Sequence, residues 1–231
     1  MKTRYTNNDG ISGKKKLIYT EEKPIPNPGK DEIVFKTLAC GICSTDIEYL
    51  LNKKKLRKES KMFNGSLNKK YLGHEMVGKA VRLGKNVNSK LLGKNFVIGD
   101  INMCKSFNIK NECENCKKKI GIQCLNKSKR KFKKAIYGGY SDYFIRSKYQ
   151  SAQIRNNIDP SSAIFCEPLS AAINCLNYTQ NDDKFLLIGL GTTSVLFYRI
   201  LIANNFKKKN ISIDVQNNVQ KKQAINMNFN K

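Results

Sequence analysis

The sequence predicts an α/β chain in two parts: a β-rich portion over residues 1–160 and a β-α-β portion over residues 161–231. Three observations predict it. Short apolar, β-branched runs at 31–39, 76–83 and 94–101 have the composition of strands. After Asp159-Pro160 the character changes, and Ile164, Leu169, Ala172, Ile173 and Leu176 fall near helical spacing. Lys184–Ile188, a glycine-rich turn, an apolar stretch to Ala203 and Ile211–Asp214 then read as strand, helix, strand.

The elements follow in order. Pro24, Pro26 and Pro28 with Gly29 mark an extended turn before the first of these strands. Thr45–Leu51 is a short helix with Ser44 or Thr45 as its N-cap. Residues 102–134 show no sustained periodicity and hold four cysteines, so they form a long loop that needs an external staple. Tyr137–Ile145 resumes strand character. Ser161–Tyr178 is helical, with Pro168 tolerable only near a helix start. Phe185–Ala203 is nearly long enough to cross a bilayer, but the Gly-rich break and Arg199 favour strand, turn and helix.

Composition narrows the function classes. The chain has 231 residues and 40% hydrophobic content, enough for a globular core. Met1–Gly10 is polar and has no apolar signal segment, so a cytoplasmic protein is expected. Clustered cysteines in that compartment bind metal more often than they form disulfides. The net charge of +25 is almost all lysine, 36 Lys to 7 Arg, in scattered runs at 14–16, 53–55, 117–119 and 207–209. Nucleic-acid surfaces mix arginine and aromatics with their lysines, so the charge reads as compositional bias. Neither a nucleic-acid partner nor a membrane is expected.

One histidine occurs, His74, inside Gly73-His74-Glu75-Met76-Val77-Gly78. With a single imidazole, any metal centre must be completed by thiolate or carboxylate. The candidates are Cys40-Gly41-Ile42-Cys43-Ser44-Thr45-Asp46 and Cys166-Glu167-Pro168-Leu169. Cys40 and Cys175 read as small buried apolar groups. Cys166 is an alternative metal ligand to Glu167. Asp46 reads as a structural hydrogen-bond acceptor near a helix start rather than a catalyst.

Gly73-His74-Glu75-x2-Gly78-x5-Gly84-x2-Val87, together with Cys40-Gly-Ile-Cys43-Ser-Thr-Asp46, resembles the signatures of the zinc-dependent medium-chain alcohol and polyol dehydrogenase family. The resemblance runs from Pro24 to Asp214. It implies a GroES-like zinc-binding catalytic domain over 1–160, then a connecting helix and a truncated, NAD-binding Rossmann domain over 161–231. It implies Cys43 and His74 as ligands of a catalytic zinc, with Glu75 binding or supporting the metal. Glu-Pro-Leu marks a further ligand position in the polyol and sugar branch, here Glu167. Thr45 stands where the family places the hydroxyl that passes the alcohol proton outward. Glu48 stands where a relay histidine is common.

Two further motifs resemble the same family. Cys113-x2-Cys116-x7-Cys124 is similar to its structural-zinc lobe, but the expected first position is Lys110, and Cys104 is the substitute. Gly189-Leu190-Gly191-Thr192-Thr193-Ser194 is similar to a dinucleotide fingerprint with serine for the third glycine. The resemblance implies pyrophosphate at that helix N-terminus and ribose hydroxyls on Asp214, whose charge repels a 2′-phosphate and favours NAD.

The expected activity is hydride transfer between a secondary, sugar-like alcohol and NAD. The alternatives are a zinc-stapled basic nucleic-acid-binding module and a catalytically dead remnant. The family continues for about a hundred residues beyond the point reached at Lys231, and a doubly wound sheet needs further strands. The chain is therefore expected to be a fragment, poorly buttressed over its last residues and inactive alone. A homo-oligomer is expected at full length.

Overall fold

Alternating apolar residues organise the first part of the chain. The computed structural model describes residues 2–7, 19–25, 27–51, 73–99, 101–129 and 138–229. It divides into two units, Met1–Ile164 and Phe165–Lys231. The lysine runs at 14–16 and 53–55, Pro26, and the beginning of the strand expected from Tyr137 lie outside the described residues, as does the side chain of Glu48.

In the first unit, β1 (Lys2–Asn7) and β2 (Tyr19–Pro24) pair antiparallel as a two-stranded sheet. The main sheet has five antiparallel strands: β3 (Glu32–Cys40), β4 (Met76–Leu83), β5 (Asn95–Ile98), β6 (Tyr143–Ser147) and β7 (Ser151–Gln153). Their spatial order is β6-β3-β4-β5-β7. β3 lies between β6 and β4, with Phe35 opposite Phe144 on one side and Ala80 on the other.

Period-two alternation gives β3 two buried faces. Ile33 and Phe35 enter a core with Met76, Ala80, Phe96, Ile98 and Phe144. Val34 turns the other way, against Ile25 and Ile145. The Phe35 ring stacks on Phe144 at 5.3 Å and meets Phe96 edge-on at 5.5 Å. Burying each such side chain stabilises the fold by about 1.5–3 kcal/mol. This sheet is the frame on which both ends of the site described below are hung.

The expected helix after β3 is present as α1 (Ser44–Leu51). Its N-cap, however, is Cys43, not Ser44 or Thr45. The Cys43 carbonyl accepts from the N–H groups of Asp46 and Ile47. Asp46 reaches back to the Cys43 N–H at 3.3 Å, the returning half of a capping box. The cysteine-rich segment has no strand, as expected. It is built of short helical turns at Cys104–Phe107, α2 (Glu114–Lys117), Gly121–Gln123 and Lys127–Lys129.

The helix expected over Ser161–Tyr178 is two: α3 (Pro160–Ala163), which closes the first unit, and α4 (Cys166–Leu176), which opens the second. Pro168 has no N–H to continue an earlier helix, so the helix restarts with Pro168 in its first turn. β8 (Phe185–Ile188), α5 (Thr192–Ala203) and β9 (Ile211–Asp214) then form the expected parallel strand–helix–strand unit, followed by α6 (Asn218–Asn226). Leu187, Leu201, Phe206 and Ile211 make its core. Leu186 and Ile188, on the other face of β8, are 63% and 71% exposed. Cys175 is also exposed, which corrects its reading as a core residue: α4 buries Pro168 and Ala172 instead.

No helix among the described residues is long and apolar enough to cross a membrane.

Candidate metal centre and nucleotide turn

Three candidate ligands meet where β3, α1 and β4 approach one another. A sulfur of Cys43, a ring nitrogen of His74 and a carboxylate oxygen of Glu75 lie within 4.8 Å of each other. Cys43 is held by its place at the start of α1. His74 and Glu75 come from the two residues before β4, which pairs with β3, and the Gly41 N–H donates to the Glu75 carbonyl at 2.9 Å. Glu75 is buried and His74 partly buried.

Asp46 ties the cluster together. Its carboxylate is 1% exposed, accepts from the Gly73 N–H at 3.1 Å and from the Cys43 N–H at 3.3 Å, and faces His74 Nδ1 at 3.6 Å. The Tyr140 hydroxyl is 3.2 Å from Asp46 Oδ2 and 3.0 Å from the Gly41 carbonyl. Burial pushes the Asp46 carboxyl up. The neighbouring His74 ring and the N–H groups of Gly73 and Cys43 outweigh it and hold the acid below its ordinary range. Burial, reinforced by Asp46, pushes the Tyr140 phenol up, so it stays a neutral donor. A carboxylate facing Nδ1 is the arrangement by which an outer carboxylate orients a metal-bound imidazole.

Two glycines make this possible. Gly73 has φ +83°, where a side chain would be strained, and a Cβ there would lie 2.8 Å from Cys40 Sγ and 2.9 Å from the Tyr140 nitrogen. At Gly41 a Cβ would collide with the Glu75 carboxylate, so this backbone forms the cradle in which the acid lies. Cys40 packs against the main core, and burial pushes its thiol up to about 12. It stays a protonated apolar group beside a cluster built from its neighbours. The donor set of one thiolate, one imidazole and one carboxylate suits zinc, with a fourth position available.

Thr45 is exposed, with its hydroxyl 3.6 Å from Cys43 Sγ. Ile42 and Ile47 are 74% and 46% exposed beside it. Glu167 belongs to the second unit, in the first turn of α4, and Cys166 precedes it on the surface. Asp46 was legible only as an acceptor at a helix start; its place beside His74 depends on a contact across 28 residues of sequence. Tyr140 was missed because it was read inside a strand. Gly138-Gly139 just before it was the available signal: β6 begins only at Tyr143.

The second cluster gathers four sulfurs. Cys104, Cys113, Cys116 and Cys124 all lie within 4.8 Å of one another. Cys104 is 3.8 Å from Cys113 and 3.6 Å from Cys124, and Cys113 is 3.9 Å from Cys124. A tetrahedral zinc with its usual sulfur bond length has edges of about 3.8 Å. Donors already point at the sulfurs: the Cys104 N–H to Cys116, the Leu125 N–H to Cys113 and the Asn126 amide to Cys104, each at 3.3 Å. Burial pushes the Cys113 thiol up, but backbone N–H groups, among them that of Leu125, outweigh it and bring it down to about 6. These donors favour thiolate at Cys113, the form a metal takes, while burial pushes the Cys116 thiol up to about 12. Lys110, the departure from the expected spacing, is exposed and outside the four.

In the second unit, Gly189 has φ +78° at the end of β8, and its N–H donates to the Asp214 carbonyl at 2.8 Å. Gly191 is the N-cap of α5, with open space where a Cβ would stand, and Ser194 lies in the helix's first turn. Ile188 pairs with Asp214, whose exposed side chain ends β9 beside this turn.

Comparison with known proteins agrees with this layout. Residues 29–156 match the family described as the alcohol dehydrogenase GroES-like domain, and the chain belongs to that family. An uncharacterised zinc-type alcohol dehydrogenase-like protein of Escherichia coli K12 is 22% identical over 200 residues, covering 84% of this chain and 54% of that protein. The L-threonine 3-dehydrogenase of Stenotrophomonas maltophilia is 25% identical over 183 residues, covering 78% and 49%. The crystal structure of galactitol-1-phosphate dehydrogenase from Escherichia coli superposes with a TM-score of 0.71 at 19% identity, covering 96% of this chain and 58% of that one. The lineage is thus that of the zinc-type alcohol dehydrogenases, and the chain spans about half the length of the curated relatives it matches.

Proposed function

We propose that the protein oxidises a secondary alcohol of polyol or sugar type, using zinc and NAD. The observation that carries the reading is the convergence of Cys43, His74 and Glu75, with Asp46 behind the imidazole. Cys43 and His74 would hold the ion, and Glu75 would ligate or support it. Zinc, when bound, supplies a Lewis acid that makes an alcohol hydroxyl more acidic.

The chain's own groups supply the rest. Asp46 fixes the His74 tautomer, and Tyr140 anchors Asp46. Thr45 receives the alcohol proton, and Glu48 carries it toward solvent. The turn at Gly189 and Gly191, with the N-terminus of α5 and Ser194, receives the pyrophosphate. Asp214 accepts from the ribose hydroxyls and repels a 2′-phosphate, which is the reason to propose NAD. The four cysteines of the second cluster would hold a structural zinc that staples the lobe. A cytoplasmic location and a homo-oligomer belong to the same reading.

The test substitutes cobalt(II) for zinc and follows its visible spectrum. Added sorbitol should shift the cobalt bands, Cys43→Ala should abolish the shift, and Asp214→Ala should weaken NADH binding read by fluorescence. Cobalt bands from the first cluster that no polyol or secondary alcohol perturbs would overturn the substrate class.

A further inference from the structure

A cavity of about 630 Å³ opens at the far end of β4 from His74. Met76 and Arg82 are six strand steps apart, so it lies roughly 20 Å from the metal centre. Its frame is rigid. The turn at Asn27–Asp31 and the turn at Gly84–Val87 are clasped backbone to backbone: Gly84 N–H donates to the Glu32 carbonyl and Asn86 N–H to the Lys30 carbonyl, both at 2.8 Å. A Cβ at Gly84 would collide with the carbonyls of Gly29 and Lys30, so nothing larger than glycine permits the clasp. Arg82 is fixed from behind, with Nη1 donating to Asn27 Oδ1 at 3.1 Å and Nη2 to the Ile25 carbonyl at 3.4 Å.

The lining chemistry is one-sided. Lys30 comes from one stretch of backbone and Arg82 and Lys85 from a second, and among the described residues no carboxylate lines the cavity. Two acids of the adjoining turn already have partners: Asp31 pairs with Lys148 at 3.0 Å and is also within electrostatic reach of Lys30, and Glu32 accepts from the Gly29 N–H at 2.6 Å. Leu83, which also packs on the main core, and Leu92, 55% exposed, contribute apolar surface to the lining. The volume falls within the range of small-molecule sites, which join an apolar surface to a few placed charges.

We propose that this cavity binds a small organic anion, its carboxylate or phosphate head between Lys30 and Lys85 over the Arg82 guanidinium and its apolar body against Leu83 and Leu92. Scattered lysines on a chain of net charge +25 would attract anions anywhere. An open depression that also presents apolar side chains would favour those that carry hydrocarbon.

Calorimetric titration of the full zinc-loaded chain with hexanoate, hexyl phosphate, inorganic phosphate and hexanol, at physiological ionic strength, tests this. One or both hexyl anions should bind saturably, one per chain, and inorganic phosphate and hexanol at least tenfold more weakly. Which hexyl anion binds better identifies the head group. The double variant Lys30→Glu, Lys85→Glu should lose at least tenfold, while Lys221→Glu, Lys222→Glu, an equal charge change on α6, should not. Leu92→Asp, at an exposed position, gives an independent loss should the first variant fold poorly. Hexyl anions binding no more tightly than phosphate or hexanol, equal losses in the two double variants, or binding abolished by Cys43→Ala instead, would overturn the proposal.

Discussion

Asp46 Oδ1 lies 3.6 Å from Nδ1 of His74, and Asp46 is sealed from solvent while His74 is not. At that length the contact is longer than an ordinary hydrogen bond. The firm bonds to Asp46 come from the Gly73 and Cys43 N–H groups, so one carboxylate fixes the residue before the imidazole, the cap that carries the sulfur, and the ring itself. A metal pulling on Nε2 would strengthen Nδ1–H as a donor and tighten this contact.

Asp46→Asn should therefore keep one of the two oxygens that accept from the Gly73 and Cys43 N–H groups, and lose the other together with the charge that orients His74. Zinc affinity at the first cluster should fall about 10–100-fold, the usual cost of removing an outer-shell partner. Competition with a chromophoric chelator measures it, and the second cluster serves as an internal reference. An unchanged affinity would mean that Asp46 only caps the helix.

Gly41→Ala places a methyl where the Glu75 carboxylate lies. The acid must move away from Cys43 and His74. The expected result is zinc loss from the first cluster with the four-cysteine site still filled, read as a fall from two ions to one per chain by native mass spectrometry.

Cys104→Ser tests the substituted position in the lobe. Three sulfurs cannot close a tetrahedral thiolate site, so this variant should lose the other ion and expose residues 101–129 to proteolysis. Lys110→Cys, which restores the family spacing, should not rescue it, because Lys110 is exposed and outside the cluster.

Acid stability should report on Asp31. The Lys148 ammonium, 3.0 Å away, with help from the Asn86 amide, outweighs burial and holds this carboxyl below its ordinary value. A depressed folded-state value contributes stability that is complete above the unfolded carboxylate value of about 3.9. That contribution is lost as pH falls through the folded value. Asp31→Asn should thus be less stable than the native chain near neutrality, by at most about 1 kcal/mol for a partly exposed pair. The difference should shrink in acid, as urea unfolding across pH would show.

Much of this was legible in sequence because the signals were local. Met76–Leu83 and Ile211–Asp214 begin and end where their apolar runs do. The Gly-Leu-Gly turn sits between strand and helix as its glycines require. What was not legible depended on distant partners. β7 is three residues long and exists through its ladder to β5, and the pairing of β1 with β2 has no hydrophobic alternation to announce it. Cys43 as a helix cap was hidden because cysteine is a poor cap by itself; Asp46, engaged on all sides, fixes the start. Pro168 did announce a helix start, but the break at Ile164 and Phe165 needed its missing N–H to be counted against the preceding turn.

The most direct measurement of the central claim is X-ray absorption at the zinc edge on a Cys104→Ser, Cys113→Ser chain, in which only the first cluster can hold metal. The account predicts one bound zinc with a single sulfur neighbour at about 2.3 Å and nitrogen or oxygen neighbours near 2.0–2.1 Å. That signal should vanish in His74→Ala. A zinc with two or more sulfur neighbours, or one that persists without His74, would contradict it.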